Sequence, residues 1–129
     1  MDLPESYRFS RDHEWADDGG DGVVTVGISH HAQDALGDIV FVDLSAVGEE
    51  LEKGDDFGVV ESVKTVSDLY APVSGTIVEV NEELMDAPEL VNESPYEEGW
   101  IVKIEMTAPD ELDELMGADE YETFLTEGE

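Results

Sequence analysis

The stretch GVVESVKTVSDLYAPVSG, residues 58–75, carries the pattern that decides the fold, because two strand-like runs flank Lys64 within it. Phe57–Val63 and Val66–Tyr70 are rich in residues typical of strands, and together they predict a β-hairpin. Cations are rare, since only 5 of the 129 residues are Lys or Arg. A solvated surface lysine in a turn is the alternative interpretation. A lone lysine at a hairpin tip also suits the attachment of a prosthetic group, which a rigid β scaffold would hold out in solvent.

Further strands are predicted on both sides of this hairpin. Val24, Val26 and Ile28 alternate with less apolar residues, which predicts one buried face along the strand Val23–Ile28. The glycine-rich and aspartate-rich run over residues 16–22 predicts a turn just before it. Other strands are predicted over Tyr7–Arg11, Ile39–Leu44, Thr76–Val80 and Trp100–Met106.

Helices are predicted in two places. Ser29 is a candidate N-cap for a short helix that ends at Gly37. After the last strand, Thr107 is a candidate cap for a helix with an apolar face, and another helix follows Gly117. The faces of these two terminal helices would be formed by Leu112, Leu115, Met116, Tyr121, Phe124 and Leu125.

Many short strands, a small inserted helix and helices at the end predict a mostly β barrel or sandwich. The length suits one domain. We expect a single domain over residues 1–129, with a β core at about residues 7–106 and a C-terminal helical segment at about residues 108–126.

Acidic residues dominate the charge, with 35 Asp and Glu against 5 Lys and Arg, a formal net charge of -30 and a pI of about 4.1. Nucleic acids and anionic membrane surfaces are therefore not expected as partners, because they bind basic patches. Adaptation to high salt is the favoured explanation, since salt screens self-repulsion. An acidic docking function is the alternative.

Several classes of chemistry are disfavoured by what the sequence lacks. It has no cysteine, so disulfides, thiolate metal sites and a cysteine nucleophile are ruled out. No segment is apolar enough to span a membrane, and Met1–Ser6 lacks the features of a signal peptide, so we expect a cytoplasmic protein. No metal site is expected, because His13, His30 and His31 have no carboxylate at a recognised metal spacing.

These residues also permit two alternative functions that need no attached prosthetic group. A small hydrolase using His13 and Glu14 would be active as the isolated chain, although no nucleophile motif is present. A non-catalytic acidic interaction protein would not need Lys64.

The order of motifs along nearly the whole chain, from about Tyr7 to Leu125, resembles the glycine cleavage system H protein family. Residues 58–75 resemble the lipoylation hairpin of that family. Two departures are visible: Thr65 stands where the family often has Ala, and the surface is more acidic. The other matching segments are His13-Glu14-Trp15, Val26-Gly27-Ile28, Ala32-Gln33, residues 36–42, Leu90-Val91-Asn92, Ser94-Pro95-Tyr96 and Gly99-Trp100.

The resemblance implies a lipoyl/biotinyl-carrier-like barrel-sandwich hybrid and a non-catalytic carrier. Lipoic acid would be bound covalently as N6-lipoyllysine at Lys64, and its arm would carry the aminomethyl group of glycine. The implied partners are a pyridoxal-phosphate glycine decarboxylase, a folate-dependent aminomethyltransferase, dihydrolipoyl dehydrogenase and a lipoyl-attaching enzyme. An H-like protein acting mainly in lipoyl assembly or relay is the alternative.

The resemblance also suggests roles for residues around Lys64. Glu14 and Asp68 match positions that would line a cleft for the loaded arm, although Glu14 could equally be one surface carboxylate among many. The lipoyl-attaching enzyme would recognise residues beside the lysine, namely Glu61, Ser62, Val63 and Thr65.

Overall fold

A computed structural model describes residues 7–19 and 22–127 of the chain. The N-terminal segment Met1–Ser6, on which the absence of a signal peptide was predicted, lies outside the described residues. So do part of the predicted turn at residues 16–22 and the last two residues of the expected domain. In the described part of the chain, no helix has the length and apolarity needed to cross a membrane.

The protein folds into two antiparallel sheets with short helices between and after the strands. The nine strands of the described residues are β1 Arg8–Phe9, β2 Glu14–Asp18, β3 Val23–Ile28, β4 Ile39–Leu44, β5 Glu50–Leu51, β6 Asp56–Ser62, β7 Val66–Tyr70, β8 Gly75–Val80 and β9 Val102–Met106. The helices are α1 His30–Leu36, α2 Glu83–Asp86, α3 Leu90–Glu93 and α4 Ala118–Glu127, and a 3₁₀ helix spans Pro109–Glu114.

The larger sheet has the strand order β1-β2-β3-β9-β8-β5, and the smaller sheet has the order β4-β6-β7. Val24, Val26 and Ile28 of β3 are buried, as their alternation predicts. They form one apolar core with buried residues of both sheets, including Val42 of β4 and Val60 of β6. The predicted mostly β fold is thus confirmed, and the Lys64 hairpin belongs to the smaller sheet.

Helix α1 begins and ends where the sequence predicts. The Ser29 hydroxyl accepts a hydrogen bond of 3.2 Å from the Ala32 amide, which satisfies one free N–H group of the first turn. Gly37 ends the helix at φ 84° and ψ -162°, a backbone region that is essentially restricted to glycine.

The C-terminal helix α4 packs on an aromatic cluster at the end of the larger sheet. Tyr121 is fully buried and stacks on Phe9 with ring centroids 4.4 Å apart. Its hydroxyl lies 2.7 Å from Ser29 Oγ and 2.7 Å from His13 Nδ1. A residue near the end of the chain therefore holds the start of α1 in place.

Some predicted elements are wrong in detail. Residues 16–18 belong to β2 rather than to a turn, because backbone pairing with residues 24–26 of β3 overrides the low strand propensity of aspartate. The segment after Thr107 is a 3₁₀ helix that starts after Ala108 without a side-chain cap. Trp100 precedes β9, and Val63 lies in the loop after β6. The short strand β5 was not predicted.

Candidate functional site

Lys64 lies at the centre of a three-residue loop that joins β6 to β7. The Ser62 hydroxyl accepts hydrogen bonds from the amides of Lys64 (3.2 Å) and Thr65 (3.1 Å), and the Ser62 amide donates to the Thr65 carbonyl at 2.8 Å. Ser62 is buried, whereas Lys64 is exposed. The loop is thus a tight turn built around one serine, and it holds the lysine outward.

A second anchor ties this loop to the rest of the protein, because the Val63 amide donates a 3.0 Å hydrogen bond to the Asp38 carbonyl. Within residues 7–19 and 22–127, no hydrogen bond or ion pair engages the Lys64 ammonium group. The other lysines differ: Lys53 Nζ lies 2.7 Å from Glu114, and Lys103 Nζ lies 3.7 Å from Glu79. Lys64 is accordingly the lysine best presented for a reaction with another protein.

The four residues predicted to be recognised beside the lysine divide into two groups. Glu61, Val63 and Thr65 are exposed, and the Val63 side chain keeps 67% of its accessible surface. Ser62 is 6% exposed and its hydroxyl is used inside the loop. A partner could therefore contact three of these side chains directly, while Ser62 sets the shape of the loop.

A cleft of about 170 Å³ lies between helix α1 and the strands that carry the Lys64 hairpin. Its walls are mostly apolar and also include carboxylates and histidines. The lining residues are Asp12, His13, Glu14, Ile28, His31, Ala32, Ala35, Leu36, Val60, Ser67, Asp68 and Leu69. The two predicted cleft residues, Glu14 and Asp68, therefore lie in one cavity.

Glu14 is 2% exposed, so the interpretation as a surface carboxylate is wrong. Its carboxylate accepts one hydrogen bond from the Ser10 hydroxyl and one from the Tyr70 amide, both 2.9 Å long. Burial raises the pKa of the Glu14 carboxyl to about 8, and these two hydrogen bonds only partly oppose that effect. Burial therefore favours the protonated form of Glu14.

Asp68 differs from Glu14 in its surroundings. It is exposed at the rim of the cleft, and its Oδ2 accepts a long 3.5 Å hydrogen bond from the Tyr70 hydroxyl. The cleft thus has one buried carboxyl group at its end and one solvated carboxylate at its mouth.

His13 and Glu14 have different hydrogen-bond partners. His13 Nδ1 faces the Tyr121 hydroxyl, while the Glu14 carboxylate faces Ser10 and the Tyr70 amide. The His13 ring also lies 4.7 Å from the ring of His31. These contacts place the histidines in the cleft wall.

Sequence reasoning missed both partners of Glu14. Ser10 lies four residues before it, and the turn between them contains His13, whose backbone is left-handed with φ 69°. Tyr70 contributes its backbone amide, which no side-chain pattern can reveal. Asn92 is part of a segment that matches the family, and the sequence predicts no role for it. In the structure it holds the backbone where α1 meets β4.

The protein has two packed antiparallel sheets, an exposed lysine on a tight hairpin loop of the smaller sheet, and a cleft beside that hairpin. These features define its class as the barrel-sandwich carrier domains. The family model of the glycine cleavage H-protein matches residues 7–128. A "Glycine cleavage system H protein" of Vibrio parahaemolyticus is 55% identical over 125 residues, covering 97% of this chain and 99% of that relative. One from Vibrio vulnificus is 57% identical over 119 residues, covering 92% and 94%.

A solved structure agrees with these relatives. The crystal structure of a glycine cleavage system H protein from Mycobacterium marinum superposes with a TM-score of 0.88 at 44% identity, covering 96% of this chain and 99% of that one. The chain therefore belongs to the glycine cleavage H-protein family. This confirms the predicted family, the predicted barrel-sandwich fold and the predicted carrier role in glycine cleavage.

Proposed function

We propose that Lys64 carries lipoic acid as N6-lipoyllysine and that this arm transports the aminomethyl group of glycine. The observation that carries the proposal is the exposed Lys64 on its tight loop, next to a mostly apolar cleft that ends at Glu14. A flexible arm on a rigid hairpin raises the effective concentration of its cargo at successive active sites. Intact-mass analysis of protein from its native cell, with peptide mapping to Lys64, tests the attachment.

The chain itself supplies position rather than reaction chemistry in this proposal. The lipoyl group would supply the sulfur chemistry that a protein without cysteine lacks. The proposed partners are glycine decarboxylase, aminomethyltransferase, dihydrolipoyl dehydrogenase and a lipoyl-attaching enzyme. The lipoyl-attaching enzyme would contact Glu61, Val63 and Thr65. The single-domain organisation and the cytoplasmic location both stay predictions from the sequence.

The cleft between α1 and the hairpin is the proposed resting place of the loaded arm. The cargo ends in an amine, which is an ammonium at neutral pH, and Glu14 lies at the buried end of the cleft. At about 4 Å, an ammonium and a carboxylate attract each other by roughly 4 kcal/mol at an effective dielectric of about 20, before desolvation. A nearby cation also favours the ionised carboxylate. Docking would therefore lower the pKa of Glu14 and release its proton.

Glu14→Ala should leave lipoylation normal and speed the spontaneous hydrolysis of the loaded arm, because the docked arm is shielded from water. The measurement is the decay rate of purified loaded protein, variant against wild type, with partner enzymes absent. Asp68→Ala should have a smaller effect, since Asp68 is solvated at the rim. Equal decay rates for Glu14→Ala and wild type would remove Glu14 from the arm site.

We also propose that the acidic surface is an adaptation to high salt. The support is the net charge of -30, which destabilises a compact fold through self-repulsion. The Debye length falls from about 10 Å at 0.1 M salt to about 3 Å at 1 M, so added salt screens most of this repulsion.

The thermal midpoint should accordingly rise as potassium chloride increases from about 0.1 M to about 3 M. Sucrose is the control, because it stabilises proteins by exclusion without screening charge. A flat or falling series in potassium chloride would show that the acidic surface is no salt adaptation.

A further inference from the structure

The Lys64 side chain lies directly over Gly37, the residue that ends α1. A Cβ atom placed on Gly37 would lie 2.8 Å from Lys64 Cε, 3.7 Å from Nζ and 3.9 Å from Cδ. Because real Cβ atoms essentially never approach another heavy atom within 3.0 Å, a side chain at position 37 would require the flexible end of the Lys64 side chain to move from where it lies.

The backbone around Gly37 is held in this position from two sides. Asn92 Nδ2 donates a 2.9 Å hydrogen bond to the Gly37 carbonyl, and Asn92 Oδ1 accepts one of 2.8 Å from the Ile39 amide. Between them, the Asp38 carbonyl accepts the Val63 amide of the lysine loop at 3.0 Å. These hydrogen bonds fix the distance between the lysine loop and the segment that begins at Gly37.

The contact with Gly37 brings the Lys64 side chain beside the end of α1, which adjoins the cleft. The last residues of α1, Ala35 and Leu36, directly precede Gly37 and line the cleft. Ala32, about one turn earlier in the helix, also lines it. A seven-residue helix is about 10 Å long, so α1 forms a wall that leads from Gly37 toward Glu14. An arm that leaves Lys64 over Gly37 enters the cleft at the C-terminal end of this wall.

We propose that Gly37 is a positioning residue for the lipoyl arm: its missing side chain opens the passage by which the arm crosses from the hairpin tip into the cleft. The inference rests on the proposed attachment at Lys64. It assigns to Gly37 a function beyond ending α1, because a residue without Cβ leaves the Lys64 side chain the space that it occupies beside the helix end.

The first test uses the wild-type protein and needs no substitution. A nuclear Overhauser effect between the Lys64 ε-methylene protons and the Gly37 α-protons is expected in the unmodified chain and in the lipoylated chain. When the arm is loaded, the methyl resonances of Ala32 and Ala35 should shift. Absence of the Lys64–Gly37 effect in wild type would overturn the proposal.

The second test compares two glycine-to-alanine variants. Gly37→Ala adds a methyl group in the path of Lys64, whereas Gly48→Ala adds one at φ 97° with nothing within 4 Å. Gly37→Ala should lose the shifts of the Ala32 and Ala35 methyls on loading, and its loaded arm should decay several-fold faster than in wild type. Gly48→Ala should match wild type in both measurements, which controls for the addition of a methyl group at a glycine with positive φ.

The outcomes separate this inference from the function on which it rests. If mass analysis finds wild-type Lys64 unmodified in its native cell, the proposed attachment fails, while the unmodified chain still tests the Lys64–Gly37 contact. If Lys64 is lipoylated but the folded Gly37→Ala variant shows the same methyl shifts and the same decay rate as Gly48→Ala, the proposed passage is refuted. If circular dichroism shows that Gly37→Ala is unfolded, the wild-type protein supplies the test. The Lys64–Gly37 nuclear Overhauser effect then supports the proposal if it is present and refutes it if it is absent.

Discussion

Lys64→Arg is expected to abolish lipoyl attachment and all carrier activity while leaving the fold unchanged. Arginine keeps the positive charge but stays protonated in proteins, so it cannot act as the nucleophile that forms the amide. Lys64 is exposed on its loop, and substitutions at such surface positions usually change the free energy of unfolding by about 0.5 kcal/mol or less. Intact mass after incubation with the lipoyl-attaching enzyme measures attachment, and thermal unfolding measures the fold.

Lys53→Arg and Lys103→Arg are the matched controls for this prediction. Both lysines lie within 4 Å of a carboxylate, and Lys103 lies on β9 rather than on a loop. Both controls should be lipoylated at Lys64 as the wild type is. Normal glycine-cleavage turnover by Lys64→Arg would contradict the carrier proposal, whatever the controls show.

Raising the pH from about 4.5 to about 8 should destabilise the wild-type protein relative to Glu14→Gln. The pKa of Glu14 rises from 4.5 to about 8 through burial. Between these values the folded state holds more protons than the unfolded state, so the free energy of unfolding falls with increasing pH and levels off above about 8. At about 1.4 kcal/mol per pKa unit, the full effect is on the order of 5 kcal/mol.

Glu14→Gln is the suitable reference because an amide is neutral at every pH and can still accept the Tyr70 amide hydrogen bond. The measurement is the difference in free energy of unfolding between wild type and variant, from urea denaturation at several pH values. Since all surface acids repel one another, the exposed Glu105→Gln on β9 is the control for general charge. A wild-type minus Glu14→Gln difference that does not change with pH would show that Glu14 has an ordinary pKa.

Much of the fold follows from local patterns that tertiary structure did not override. The alternation of Val24, Val26 and Ile28 matches the buried face of β3, and the Ser29 cap and Gly37 end of α1 are both observed. The predicted strand Val66–Tyr70 is β7. Hydrophobic periodicity and cap residues predict such elements reliably because they depend on only a few neighbouring residues.

The errors occur where long-range pairing prevails over local propensity. Residues 16–18 form part of β2 because β3 supplies their hydrogen-bond partners. The two-residue strand β5 exists through its pairing with β8, and its own sequence carries no periodic signal. In each case the stabilising partner lies elsewhere in the chain.

The sequence by itself determined the candidate attachment residue, because a rare lysine between two strand-like runs is visible without coordinates, and it determined the family, because the order of the motifs matched one family. Only the tertiary structure decided the chemistry around it. Burial of Glu14, the first residue of β2, raises its pKa, since desolvation depends on every atom packed against the group. The Lys64–Gly37 contact likewise joins residues from a loop and a helix end, and only folding brings them together.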